Sequence, residues 1–133
     1  MKYIIDILPL ERCVVCIDSV NEAPDFIVEE WNKTDTNAMT YTYKGDVYIL
    51  FNRADKKVGG GILCHEVYHA VNRLCEIIGY RVDSTNDEMC AYLAGYIYRE
   101  LCDFVFYPHR VIKKAMKDTK DFDKIYYKKG EQQ

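Results

Sequence analysis

His65-Glu66-Val67-Tyr68-His69 is the stretch whose reading decides this chain. On a helix, two residues four positions apart stand on one face with Cβ atoms about 5–6 Å apart. Two imidazoles at that spacing can ligate one Zn²⁺ at about 2.0–2.1 Å each. Glu66 follows the first histidine by about 100° of helix rotation. It is beside the metal without ligating it, where a general base stands. The bland alternative is two solvated histidines and a surface glutamate.

The flanking residues support a helix over 62–78. On a helical wheel Leu63, Val67, Ala70, Val71, Leu74, Ile77 and Ile78 form one apolar stripe. His65, His69, Asn72 and Glu76 fall on the opposite side, with Glu66 at its margin. Gly79 is a natural residue to end the helix. Gly59-Gly60-Gly61 should form the junction before it, since glycine inside a helix costs about 1 kcal/mol relative to alanine.

The class depends on a third ligand. The positions where a metzincin would carry its glycine and third histidine are held by Asn72 and Cys75, so that class is excluded. Glu88 follows His69 with eighteen residues between them, giving H-E-x-x-H-x18-E, within the local string Asn86-Asp87-Glu88-Met89-Cys90-Ala91-Tyr92. Here, over roughly residues 60–98, the chain resembles the gluzincins, the zinc peptidases that include thermolysin and the M1 aminopeptidases. The resemblance implies His65, His69 and Glu88 as zinc ligands and Glu66 as catalytic base. Where thermolysin has an aspartate one turn after its ligand glutamate, this chain has Tyr92. Its hydroxyl is expected to support the metal site or the oxyanion, with Tyr107 and His109 as other oxyanion donors.

The chain has 133 residues, enough for one core, and 49% are hydrophobic. A net charge of −3 gives no electrostatic case for binding nucleic acid or an anionic membrane. Residues 3–17 are apolar but carry Asp6, Pro9, Glu11 and Arg12, which suits neither a signal-peptide core nor a membrane span. A cytoplasmic location is therefore expected, with the six cysteines as free thiols.

Residues 3–8 and 13–17 read as strands broken at Pro9. Cys13 and Cys16 spell C-x-x-C, but in a strand they face opposite sides, which favours core packing over metal or redox chemistry. Residues 23–31 read as a short helix, and residues 39–43 and 47–51 as a hairpin around Lys44-Gly45-Asp46. Its second strand, 47–51, leads toward the H-E-x-x-H helix. In gluzincins a strand in that place borders the cleft and pairs with substrate; the alternative is an ordinary internal strand. Ser84 to Asp87 approaches a capping box, opening a third helix that runs to about 106, before Pro108. Ala91 and Gly95 are small enough to let the two metal helices approach. A last short helix is expected over 111–117.

The expected fold is α+β. The resemblance makes it a small zincin-like domain over residues 1–117: a twisted sheet with a cleft-bordering strand and two long metal-binding helices. Residues 118–133 form a polar tail. In length the chain is similar to minigluzincins and to the short H-E-x-x-H proteins of bacteriophage genomes. The expected function is a zinc metallopeptidase acting on a peptide or protein substrate, with water activated by the metal and Glu66. Two alternatives stand beside it. One is a non-catalytic zinc-bound interaction module. The other is a narrow-specificity regulatory protease with one partner protein.

Overall fold

The computed structural model describes residues 1–53 and 58–112. It divides into two units, Met1–Cys102 and Asp103–Gln133.

The first unit is α+β. Its strands are β1 (Lys2–Ile7), β2 (Arg12–Ile17), β3 (Ala38–Tyr43) and β4 (Asp46–Phe51). Its helices are α1 (Asp25–Asn32), α2 (Gly60–Ile78) and α3 (Glu88–Phe106), and the unit boundary falls within α3. The sheet order is β1-β2-β4-β3, with β2 and β4 parallel and the other two pairings antiparallel.

Each hairpin turns on a left-handed residue. Glu11 has φ 51° between β1 and β2. Lys44 (φ 49°) and Gly45 (φ 80°) form a two-residue turn with both φ positive, as the right-handed strand twist favours. Asp46 therefore belongs to β4, pairing with Tyr43, one residue earlier than the sequence suggested.

Alternation along the strands gives the sheet two apolar faces. Val15, Ile17, Met39 and Leu50 bury one face with Ile27 of α1, and Cys13, Trp31, Tyr41, Tyr43 and Tyr48 pack around them. Val14, Cys16, Val47, Ile49 and Phe51 are buried on the other face. The two cysteines of C-x-x-C thus lie on opposite faces of β2, as the strand reading requires.

Helix α2 packs on β3 and β4. It buries Leu63, Val67, Ala70, Val71 and Leu74 as expected, and Glu66 and Cys75 as well; Ile78, at the end of the stripe, is exposed. The helix begins one residue into the glycine run, so Gly60 and Gly61 form its first turn and only Gly59 is left as junction. A Cβ on Gly60 would lie 3.1 Å from the Tyr98 hydroxyl, which accounts for glycine there. Gly79 ends α2 in the left-handed conformation at φ 71°.

The connection to α3 is tied differently from the expected capping box. Asp83 accepts hydrogen bonds from the Thr85 amide at 2.7 Å and its hydroxyl at 2.5 Å. Asn86 accepts from the Asp83 amide at 2.7 Å, and the Tyr80 hydroxyl donates to the Asn86 carbonyl at 2.6 Å. Within the first unit α3 buries Cys90, Ile97 and Leu101. Ala91 and Gly95 are exposed, and a Cβ on Gly95 would meet nothing within 4 Å, so neither permits a close helix approach. Helix α3 is tied to β1 by Tyr3, whose hydroxyl donates to Glu100 at 2.5 Å.

In the second unit, residues 108–112 are helical. The Arg110 guanidinium is 3.5 Å from the Asp103 carboxylate and 4.2 Å from the centroid of the Tyr107 ring. The rest of the expected 111–117 helix and the 118–133 tail lie outside the described residues. Among the described residues no helix is long and apolar enough to cross a membrane.

Candidate functional site

His65 and His69 project from the exposed side of α2. Their rings meet edge to face with centroids 4.7 Å apart, and their Nε2 atoms are 3.1 Å apart. Two nitrogens on adjacent corners of a tetrahedron around zinc stand about 3.3–3.4 Å apart, given bonds of about 2.0–2.1 Å. The two histidines therefore already converge to within a few tenths of an ångström of what one metal ion needs.

Glu66 differs from its wheel position. It is only 5% exposed, although the wheel put it at the margin of the polar side. A wheel describes the helix alone. Here the edge strand β3 lies alongside α2, and its Thr40 covers the Glu66 flank. The Thr40 hydroxyl is 2.5 Å from Glu66 Oε2 and 3.2 Å from the Glu66 carbonyl oxygen. A carboxylate so deeply buried is costly without such a partner.

Strand pairing places one edge of the sheet here as well. β4, the expected cleft border, is internal, between β2 and β3. β3 is an edge strand, as is β1 at the other side of the sheet. Tyr43 and Asp46 close the two-residue turn, so alternation directs the N–H and C=O groups of Thr42, Thr40 and Ala38 away from β4. Residues leading into and starting β3 border a pocket of about 290 Å³, lined by Asn37, Ala38, Gly61, Ile62, His65 and Glu66 among others.

Glu88 is the first residue of α3 and is exposed. Tyr92 is 77% exposed and borders a separate apolar pocket of about 400 Å³ with Ile7, Leu8, Leu93 and Tyr96. Tyr107 and His109 belong to the second unit, with ring centroids 6.3 Å apart. Among the described residues no group of three or more His, Cys, Asp or Glu side chains is placed to hold a metal ion. The structure thus brings His65 and His69 together beside Glu66, while Tyr92 borders the other pocket. The histidine donor set fits zinc at two corners.

Sequence reasoning missed Thr40. The signal was weak: in Thr40-Tyr41-Thr42-Tyr43 the threonines share one strand face and the tyrosines the other, so a threonine face had to meet something polar.

No family model matches the chain, and no curated protein or solved structure matches it either.

Proposed function

We propose that the chain is a zinc metallopeptidase, with His65 and His69 as metal ligands and Glu66 as the base. The observation that carries this reading is the 3.1 Å convergence of the two Nε2 atoms beside a buried carboxylate in a pocket. A solvated histidine pair has no use for a glutamate held in place by a strand hydroxyl. Glu88 is the carboxylate proposed to complete the ligand set. Zinc held there would polarise a peptide carbonyl and bring water into the range of deprotonation near neutral pH.

The chain's own residues supply the rest. Thr40 holds Glu66 Oε2, leaving Oε1 to take a proton from the attacking water and pass it to the departing amine. The outward N–H and C=O groups of Thr42 and Thr40 offer an extended peptide backbone a strand to pair with, while the Ala38 carbonyl accepts from the Thr36 hydroxyl at 2.7 Å.

The test pairs metal analysis with a cleavage screen. The purified protein should hold about one Zn²⁺ per chain. It should cleave members of a random peptide library, lose that activity to a chelator and regain it with zinc. A protein that binds zinc fully and cleaves neither peptides nor proteins would instead be a zinc-holding interaction module.

A further inference from the structure

A second pair of side chains in the first unit meets between α2 and α3. Cys75, in the last turns of α2, and Cys90, in the first turn of α3, have Sγ atoms 3.3 Å apart. We infer that these two cysteines are a redox modification site, forming a reversible disulfide in the folded protein that clamps α2 to the start of α3. This inference does not depend on the peptidase reading.

The geometry is close to bonded. The sulfurs must approach by about 1.3 Å to reach a bond of about 2.03–2.05 Å. Both side chains lie in secondary structure already held by packing, so each sulfur is presented to the other at high effective concentration. The remaining thiols are arranged differently. Cys13 and Cys16 face opposite sides of β2, Cys64 is on the exposed side of α2, and Cys102 is hydrogen-bonded with Tyr98. All six thiols are free in the structure.

Formation needs an oxidant, and a small-molecule disulfide supplies it. Cys90 is 9% exposed and Cys75 4%, so Cys90 is the more accessible sulfur. Its thiolate attacks the small disulfide, forming a mixed disulfide and releasing one thiolate. Cys75 then attacks the Cys90 sulfur, and the second small thiolate leaves. The two protein sulfurs give up two electrons, and their two protons end on the released thiols. The bond links residues 15 positions apart in sequence and encloses the α2–α3 connection and Glu88, so it restrains the unfolded chain.

The experiment uses the full folded chain, kept in chelator and exposed to oxidised glutathione. Remaining thiols are then blocked under denaturing conditions, and linked peptides are read by mass spectrometry. The expected result is a dominant Cys75–Cys90 cross-link. The melting temperature should rise by roughly 5 °C or more, and dithiothreitol should reverse the rise. Cys75→Ser should remove both effects; the wild-type linkage map stands by itself if that variant folds poorly. The inference is overturned if Cys75 and Cys90 are recovered as blocked free thiols, if they link to other partners, or if they join without a gain in melting temperature.

Discussion

The Thr40 hydroxyl sits 2.5 Å from Glu66 Oε2, joining the edge strand β3 to the flank of α2 between the two histidines. It gives a buried carboxylate a fixed orientation, and it ties the strand proposed to bind substrate to the group proposed to move the proton. Thr40→Val keeps the shape and removes the donor. It should cost about 1–3 kcal/mol of stability, because it leaves a buried charged acceptor unpaired. It should also lower peptide cleavage. Thr40→Ser should keep both properties, and urea denaturation beside a cleavage assay checks the pair.

Zinc content separates the ligand assignments. His65→Ala and His69→Ala should each lose most bound zinc, measured by mass spectrometry after dialysis. Glu88→Ala should lower zinc affinity by roughly tenfold or more if Glu88 completes the set. Unchanged affinity in Glu88→Ala would move the third position to another ligand or to water, while leaving the histidine pair intact.

The sequence made the helices and the hairpin legible because their signals are local. The apolar stripe from Leu63 to Leu74, Gly79 after it and the Lys44-Gly45 turn each follow from neighbouring residues. What stayed hidden was pairing at a distance. Nothing local says that β2 inserts beside β4, which turns β3 rather than β4 into an edge strand. The same insertion buries Glu66 under Thr40, twenty-six positions earlier in the chain. The Cys75–Cys90 contact is likewise invisible to a wheel, which shows each helix without its neighbour. The H-E-x-x-H histidines were legible because their geometry is set within a single turn. The position of Glu88 relative to them depends on the connection through Asp83 and Asn86, which spacing alone does not determine.

Glycine substitutions should divide by backbone conformation. Gly79→Ala places a side chain at φ 71° and should destabilise by about 1–2 kcal/mol. Gly61→Ala lies in the first turn of α2, where a Cβ would meet nothing within 4 Å, and should be neutral or stabilising by up to about 1 kcal/mol. Chemical denaturation of the two variants checks the contrast.

Asp18 should govern acid stability. Burial alone would raise its pKa, but hydrogen bonds from the Met1 amine and from Arg53, the latter at 2.5 Å, hold it below the usual aspartate value. A lowered folded-state pKa stabilises in full above the unfolded value of about 3.9, and that stability is lost as pH falls through the lowered value. The melting temperature of the wild type should therefore drop below about pH 4. Asp18→Asn should be less stable at neutral pH by about 1–3 kcal/mol and should show a shallower acid decline.

Glu66→Gln tests the central claim most directly. The amide keeps the size of the side chain and can still accept from Thr40, but it cannot take a proton from water. Activity and zinc content should be measured on the same preparation, with a peptide the wild type cleaves. The account predicts full zinc occupancy, an unchanged melting temperature within a few degrees, and cleavage reduced roughly 10²-fold or more. A Glu66→Gln protein that retains zinc and cleaves as fast as wild type would contradict it.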